Sequence, residues 1–313
     1  MKVLLVFIAI LGVQKSVNGF SPIRSEQSKL DTGLRVINGG NTDTTRIING
    51  QLAADRQFPF QLFVLIRSNA PLSLIFNVLG SCGGSIIHTN WALTAAHCIE
   101  PPSGPTDIRT YQLLAGSVNR GNARQSITVP SRHAFRHNGY NRDTLENDIG
   151  LFKVNLPLGF GFTFSDYIAP IELSNMTEAE LVGKLLVVSG FGTTTNDRSG
   201  PASNQLYYTS LTAISKQDCL TAWRPTILPS TSFCVEDKTS TNLATKKASC
   251  AGDSGGPITY TFENGTKVQV GLVSFGSSLC NQYPDGYTLI SLFLGWILEI
   301  QAANPISLLP III

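Results

Sequence analysis

The hexapeptide Gly252–Pro257, which reads Gly-Asp-Ser-Gly-Gly-Pro, has the residue types of a nucleophilic site. A serine hydroxyl is a weak nucleophile unless a base removes its proton and hydrogen-bond donors stabilise the oxyanion that forms. The glycines around Ser254 permit a tight turn, in which the amides of Gly252 and Ser254 are the natural donors to a carbonyl oxygen under attack. Because glycine- and serine-rich turns are common in loops, this interpretation needs a base and an acid elsewhere in the chain.

The general base is predicted at His97, within the segment Leu93–Cys98. A histidine flanked by small residues and held by an adjacent cysteine suits a positioned general base. The chain has 4 histidines, and the other three lack such a setting and are interpreted as loop or surface residues: His88, His133 and His137.

The matching acid is predicted at Asp148, which directly precedes the apolar run that starts at Ile149. An aspartate in this position is poorly solvated unless it has a partner. Holding the tautomer of an imidazole and stabilising the imidazolium is a role that fits it. In isolation it would be an ordinary turn aspartate, and the nearby acids Asp143 and Glu146 are interpreted in that way.

The elements that position these residues are predicted to be mainly strands. With 28 glycines and only 14% charged residues among 313, the chain favours a β-rich globule with one large core or two modest ones. A formal net charge of +2 gives no electrostatic reason to expect a nucleic acid or an anionic membrane as partner. Apolar or alternating runs between turn signals predict antiparallel strands in a sandwich or barrel: Phe58–Ile66, Ser85–Ile87, Tyr111–Ala115, Ile149–Val154, Leu185–Ser189, Leu206–Ile214 and Val268–Phe275.

The two ends of the chain follow other patterns. Residues 1–19 have a positive start and an apolar run, Val3–Val13, that is too short to span a bilayer; they predict a signal peptide removed before Phe20, and therefore secretion. Residues 20–46 are polar and predict a pro-segment. Ser291–Ala303 has apolar residues at helical spacing and predicts a terminal helix, whereas the apolar tail Ile306–Ile313 is too short to cross a membrane and has no functional interpretation.

Export changes how the 6 cysteines and two sequons are interpreted. In an oxidising compartment an even number of widely spaced cysteines predicts disulfides, and no CxxC pair suggests a metal site. Six cysteines allow 15 pairings, among which spacing cannot choose. The sequons at Asn175 and Asn264 are candidate glycosylation sites.

Together, the segments around His97, Asp148 and Ser254 resemble the chymotrypsin-like (trypsin-like) serine peptidase family, in which the triad follows the same order. Subtilisin-like and α/β-hydrolase enzymes use other orders. The resemblance extends from Ile47 to about Ala303. It implies an all-β fold of two six-stranded antiparallel β-barrels, about 47–172 and about 173–290, with the active site between them and a C-terminal α-helix at about 291–303.

The resemblance also implies the chemistry and the partners of the chain. It implies a secreted serine endopeptidase that acts through an acyl-enzyme on protein or peptide substrates, is restrained by protein protease inhibitors and is a monomer without metal or cofactor. The expected role is protein digestion. The alternatives are a narrow-specificity cascade or venom protease, or a catalytically dead binding homologue. One disulfide pattern is implied: Cys82–Cys98, Cys219–Cys234 and Cys250–Cys280.

Arg46–Gly50 is similar to the family's activation site. A cut after Arg46 by a trypsin-like activating protease would free an ammonium on Ile47, which would fold inward and pair with Asp253. The near-copy Arg35–Gly40 lies upstream, but the distance from Ile47 to the segment Phe58–Gln61 is the family's usual one. No cysteine remains to tie the pro-segment to the enzyme, so the released piece is expected to diffuse away.

The specificity pocket is carried over by the same resemblance. Ala248 and Ser249 match its base, the stretch Ser274, Phe275 and Gly276 matches one wall, and Asp285 with Gly286 matches the other. Ala248, where a trypsin has aspartate, predicts a slot for aromatic or large aliphatic side chains. Asp285 follows a pattern similar to brachyurin-like enzymes and would add acceptance of basic side chains. In the alternative, it is a rim aspartate that points to water.

Overall fold

The computed structural model describes residues 21–22, 47–69, 77–99, 108–154, 161–193, 195–196, 198, 200–224 and 226–306. Several predictions therefore fall outside the described residues. They are the signal peptide 1–19, the pro-segment 20–46 except for Ser21 and Pro22, the cleaved residue Arg46, the upstream copy Arg35–Gly40 and the tail from residue 307.

Strands dominate the described part of the chain. They are β1 (Ser21–Pro22), β2 (Gln51–Leu52), β3 (Gln61–Asn69), β4 (Asn77–His88), β5 (Trp91–Thr94), β6 (Ile108–Ala115), β7 (Gln125–Pro130), β8 (Ala134–Arg136), β9 (Gly150–Lys153), β10 (Glu172–Leu173), β11 (Leu185–Gly190), β12 (Tyr207–Ile214), β13 (Ser232–Glu236), β14 (Pro257–Thr261), β15 (Lys267–Gly276) and β16 (Asp285–Leu289). The helices are α1 (Glu178–Leu181), α2 (Lys216–Ala222) and α3 (Leu294–Ala303).

The predicted all-β architecture is confirmed, and so is the terminal helix. In the C-terminal half, β11, β12, β13, β16, β15 and β14 form a closed ring, because β14 also pairs with β11. The N-terminal half is a curled seven-stranded sheet in the order β7-β6-β3-β4-β5-β9-β8. It contains one strand more than the predicted six. Helix α3 follows a short 3-10 turn, Ile290–Phe293.

Each sheet encloses its own apolar core. Alternation along the strands explains this, since successive side chains of a strand point to opposite faces. The first core is built on Leu62, Val64, Tyr111 and Phe152, and the second on Val188, Leu211, Phe233 and Ile258. A third cluster joins the helix to the first sheet through Trp91, Leu93, Phe293 and Ile297. Of the described helices, none combines the length and apolarity that a bilayer span requires.

Buried polar contacts join the two halves. The hydroxyl of Ser85 donates to Gln269 Oε1 at 2.6 Å, and that of Ser189 donates to Gln61 Oε1 at 2.7 Å. All four side chains are buried, so each contact satisfies groups that would otherwise be costly to bury. These cross-links fix the cleft between the halves.

Three disulfides are present, as predicted, with the pairing that the family resemblance implied. Cys82–Cys98 ties the turn after β5 to β4. Cys219–Cys234 ties α2 to β13. Cys250–Cys280 joins the segment before Ser254 to the segment after β15, and each bond restricts the unfolded chain more than the folded one.

Candidate active site

His97 lies in the 3-10 turn Ala96–Cys98 that follows β5. Its neighbour Cys98 is anchored by the disulfide to Cys82, and the side chain is buried with only 9% exposure. The backbone amide of His97 donates to Asp148 Oδ1 at 2.9 Å, while ring atom Nδ1 lies 2.7 Å from Asp148 Oδ2. Main chain and ring are therefore held by one carboxylate.

Asp148 is fully buried just before β9. Besides His97, the hydroxyl of Ser274 donates to its Oδ2 at 2.6 Å. Its backbone carbonyl accepts a bond from the hydroxyl of Thr288 at 2.8 Å. The residue before it, Asn147, has φ 57, a left-handed conformation that asparagine tolerates better than most residues. Asp148 is thus fixed from both halves of the molecule.

Ser254 lies in a tight turn before β14, at the contact between the halves. Its carbonyl accepts from the amide of Gly83 at 2.7 Å and lies 3.5 Å from the Cys98 sulfur. A Cβ on Gly83 would be only 2.7 Å from the Cα of Gly256, so glycine is required for this close approach. Ser254 is thereby held next to Cys98, the residue that follows His97.

This arrangement has the parts of a proton-transfer device. If Nδ1 of His97 carries the proton donated to Asp148, then Nε2 is left as a base. Nε2 is buried and has no hydrogen-bond partner among the described residues. A serine hydroxyl brought to it could lose its proton as the oxygen attacks a carbonyl carbon.

Amide donors for an oxyanion lie in the same turn. Gly252 has φ 94, a conformation that favours glycine, and among the described residues its amide donates to no backbone carbonyl. The turn is held by its other amides, because Asp253 donates to Cys250 and Gly255 donates to Val273, at 3.0 and 2.8 Å. The turn therefore fixes the position of the Gly252 amide, which has no backbone acceptor among the described residues.

Asp253 is a second fully buried carboxylate in this region. The amide of Gly192 donates to its Oδ1 at 2.8 Å, and the amide of Cys250 donates to its Oδ2 at 3.0 Å. Burial nevertheless raises its pKa to about 6, against the lowering effect of those two bonds. A Cβ on Gly190 or Gly192 would overlap the carboxylate, so the glycines make room for it.

The segment that begins at Ile47 is docked beside this loop. Ile47 is 1% exposed, and Ile48 pairs with Ala248, whose amide lies 3.4 Å from the Ile48 carbonyl. The side-chain amide of Asn49 donates to the carbonyls of Ala244 and Lys246 at 3.2 and 3.1 Å. The predicted activation segment thus contacts the predicted base of the pocket directly.

Asp285, which is 2% exposed, does not point to water at the rim. Its Oδ2 accepts from the amide of Ser249 at 2.7 Å and from its hydroxyl at 2.8 Å. The hydroxyl of Tyr287 donates in turn to Ser249 Oγ at 3.2 Å. Asp285 Oδ1 is buried without a hydrogen-bond partner in the described part of the chain. Burial, the largest cause, raises the pKa of Asp285 to about 8.

The wall that carries Asp285 is braced by aromatic rings. Phe275, at the end of β15, is fully buried and meets the ring of Trp223 edge-on at 5.7 Å. The Trp223 indole donates to the carbonyl of Pro284 at 3.0 Å and contacts Tyr283. A Cβ on Gly286 would overlap the Phe275 ring. Phe275, predicted as pocket wall, therefore packs between Trp223 and Gly286.

The structure also places residues at the site that sequence reasoning assigned elsewhere or missed. Ser274 was predicted only as pocket wall, yet its hydroxyl also bonds Asp148. Thr288, Gly83 and Arg198 were not predicted at all, and the guanidinium of Arg198 donates to the carbonyls of Gly276 and Ser277 at the end of β15. No local pattern marks these residues, because each acts on a segment far away in sequence.

Comparisons with known proteins agree with this geometry. The family model described as Trypsin matches residues 47–297. The chain is 29% identical to a chymotrypsin of Phaedon cochleariae over 95% of this chain and 97% of the relative. It is 32% identical to serine protease SP24D of Anopheles gambiae, over 80% of each chain. It is also 32% identical to trypsin delta of Drosophila melanogaster, over 81% of this chain and 88% of the relative.

Proposed function

Because this chain belongs to the trypsin family and is a serine endopeptidase, we propose that Ser254, His97 and Asp148 are its catalytic triad. The observation that carries the assignment is the double attachment of His97 to buried Asp148, at 2.9 Å through the backbone amide and 2.7 Å through the ring. The fixed ring has its other nitrogen without a partner among the described residues.

In the proposed reaction, Ser254 Oγ attacks the carbonyl carbon of the scissile peptide bond while His97 Nε2 takes its proton. The amides of Gly252 and Ser254 donate to the resulting oxyanion. His97 then gives the proton to the leaving amine, which departs and leaves an acyl-enzyme. A water molecule, activated by the same nitrogen, hydrolyses the ester and regenerates Ser254. Asp148 keeps its charge throughout and stabilises the imidazolium.

We also propose that the chain is secreted as a precursor and activated by a trypsin-like peptidase that cuts after Arg46. The buried carboxylate of Asp253, with two amide donors and a pKa raised to about 6, lacks a cation among its described contacts. The buried position of Ile47 beside this loop supports the ammonium freed by the cut as that cation. A buried carboxylate gains most from a charged, hydrogen-bonded partner.

For specificity we propose a deep, mainly apolar pocket that also accepts basic side chains. Ala248 at the base is buried and uncharged, which suits aromatic and large aliphatic side chains. The second oxygen of Asp285, buried and without a partner among the described residues, is the acceptor that a lysine or arginine side chain needs. The relatives named above include both a chymotrypsin and a trypsin.

Two surface features complete the proposal. The sequon asparagines Asn175 and Asn264 are both exposed, which supports them as glycosylation sites of a secreted chain. They stand on opposite sides of β11 and β12 in the sequence, in the segments before α1 and between β14 and β15.

The triad is tested by Ser254→Ala in protein cut after Arg46. We expect peptide hydrolysis and labelling by a serine-directed fluorophosphonate to disappear, while thermal unfolding and the cut itself are unchanged. Ser240→Ala, at a half-buried loop serine, is the matched control and should keep both activities. Hydrolysis that survives in Ser254→Ala would contradict the assignment.

Activation is tested separately with Arg46→Gln. Incubation with trypsin should convert the wild-type precursor to active enzyme and leave this variant uncut at that bond and inactive. Activity that appears in Arg46→Gln without a cut would show that the freed amine of Ile47 is not needed.

A further inference from the structure

The predicted pro-segment contributes one described element to the structure, the short strand β1. Ser21 and Pro22 pair antiparallel with the end of β15, with Ser21 opposite Gly276 and Pro22 opposite Phe275. This is the stretch of β15 that begins at Ser274, whose hydroxyl bonds Asp148. The strand therefore lies beside the candidate triad, far in sequence from the residues that it covers.

We propose, on the basis of the proposed function, that β1 blocks the cleft of the precursor by occupying the place of the substrate backbone. A peptide substrate is expected to add as a strand to Ser274–Gly276. Two strands cannot pair with the same backbone edge at once. The contact made by Ser21 and Pro22 therefore excludes substrate from these residues for as long as it lasts.

The position of Pro22 indicates which pair carries the hydrogen bonds. Pairs in an antiparallel ladder alternate between a bonded pair and a pair whose amides point away. Proline has no amide hydrogen and fits only the second kind without loss. Pro22 opposite Phe275 thus assigns the bonded pair to Ser21 and Gly276, with the Ser21 amide as donor from the pro-segment.

Covalent connection explains how so short a strand can hold. Residues 23–46 connect Pro22 to Ile47. Such a covalent connection raises the effective concentration of the strand at β15, which favours a contact that would be weak between separate molecules. A cut after Arg46 removes the connection. The same cleavage that frees the Ile47 amine therefore also releases the blocking strand by dilution.

The first test uses the uncut precursor, residues 20–313, with Ser254→Ala to prevent self-cleavage. Hydrogen exchange at the Gly276 amide is compared between this protein and two further variants, Ser21→Ala and Ser21→Pro. In Ser21→Ala, which keeps the backbone amide of residue 21, the Gly276 amide should exchange as slowly as in the parent. In Ser21→Pro, which lacks that amide, the Gly276 amide should exchange at least tenfold faster. Equal rates in all three proteins would overturn the proposal.

The second test uses the cut enzyme and a synthetic peptide of residues 20–46. Added at about millimolar concentration, which replaces the covalent connection, the peptide should inhibit competitively, raising the apparent KM without changing kcat, and its Ser21→Pro form should be at least tenfold weaker. An enzyme that hydrolyses substrate but ignores both peptides would overturn the proposal alone. Failure of the proposed function would instead show as no hydrolysis and no fluorophosphonate labelling, and the exchange experiment does not depend on either.

Discussion

Two aspartates of the candidate site, Asp148 and Asp285, are both buried, and their surroundings differ sharply. Asp148 is bonded through both oxygens, to the amide and ring of His97 and to the hydroxyl of Ser274. Asp285 uses one oxygen, which accepts twice from Ser249, and its other oxygen has no partner among the described residues. The first site is internally complete, whereas the second has one acceptor without a partner among the described residues, the acceptor that we propose for a basic substrate side chain.

The difference shows that burial alone does not assign a role to an acid. Removing a carboxylate from water disfavours its charged form, and donors or a nearby cation restore it. For Asp285 burial outweighs the Ser249 bonds and the pKa rises to about 8. A cationic substrate side chain would reverse that rise, so binding of the substrate and ionisation of Asp285 are coupled.

Asp148→Asn should have the largest effect, because it breaks the complete site. The side-chain NH2 of asparagine can donate to Nδ1 of His97, whereas Nδ1 must itself donate in the active site. The substitution therefore favours the wrong tautomer of His97. We expect kcat to fall by about 10⁴-fold, with KM little changed. Steady-state kinetics on cut enzyme measure this.

The matched control is Asp143→Asn, at an exposed aspartate in the preceding loop. It should stay within twofold of the parent enzyme. A fall of less than tenfold in Asp148→Asn would mean that His97 does not depend on this carboxylate.

The residues of the proposed triad could be predicted from the sequence more easily than the orientation of Asp285, and the reason is physical. Ser254, His97 and Asp148 sit in local motifs whose neighbours belong to the same turn, and the alternating runs that became β3, β11, β12 and β15 mark the elements that hold them. The sheet that contains β3 has seven strands where six were predicted, and in the other half β1, β2 and β10 are added to the ring of six.

The orientation of Asp285 could not be decided from the sequence. It depends on how β16 aligns with β13 and β15 and on a bond to Ser249, 36 residues away. The bond from Ser274 to Asp148 spans 126 residues and has no local signal. Contacts of this kind are set by the registers of distant strands, where a shift of one residue would reverse the side that each side chain faces.

Asp253→Asn should have the second-largest effect, since it tests a carboxylate that lies between the two extremes. Both of its oxygens have amide donors, but no described cation neutralises it. If the ammonium of Ile47 becomes its partner after cleavage, loss of the buried pair should cost about 3–5 kcal/mol, or roughly 2 × 10²- to 5 × 10³-fold in kcat/KM.

Asp55→Asn, an exposed acid near the start of the same domain, serves as the control. Activity should be measured before and after the cut at Arg46. The proposal fails if cut Asp253→Asn is as active as cut wild-type enzyme.

Asp285→Gly should have a selective effect. We expect cleavage after Arg and Lys to fall about 10- to 100-fold, in line with loss of one charged hydrogen bond, while cleavage after Phe, Tyr and Leu is retained. A peptide library digested by both enzymes measures this. If wild type cleaves only after apolar residues and the variant is unchanged, Asp285 does not face the substrate.

The pH dependence sharpens the same prediction. Only the ionised carboxylate attracts a cation, and the pKa of Asp285 is about 8. The ratio of Arg to Phe cleavage should therefore rise with pH through a midpoint near 8 and level off above it. The charge of Asp253 contributes to the raised pKa, so its neutralisation by Ile47 would move the midpoint downward. In Asp285→Gly the ratio should be flat.

Ser249→Ala should give the smallest effect, because it removes one of the two donors to Asp285 and keeps the backbone amide. That hydroxyl lowers the pKa of Asp285, so its loss should move the midpoint of the Arg-to-Phe ratio upward, by about one pH unit or less. The buried hydroxyl of Tyr287 also loses its acceptor, which should lower stability by about 1–3 kcal/mol.

Ser249→Ala with Tyr287→Phe separates these two consequences. Removing the orphaned hydroxyl should restore much of the lost stability, as thermal unfolding would show, and leave the upward shift of the midpoint in place. A midpoint that returns to the wild-type value in the double variant would mean that strain at Tyr287, and not the lost bond to Asp285, had moved it. The pKa of Asp285 would then depend on the packing around Tyr287 rather than on the hydrogen bond from Ser249.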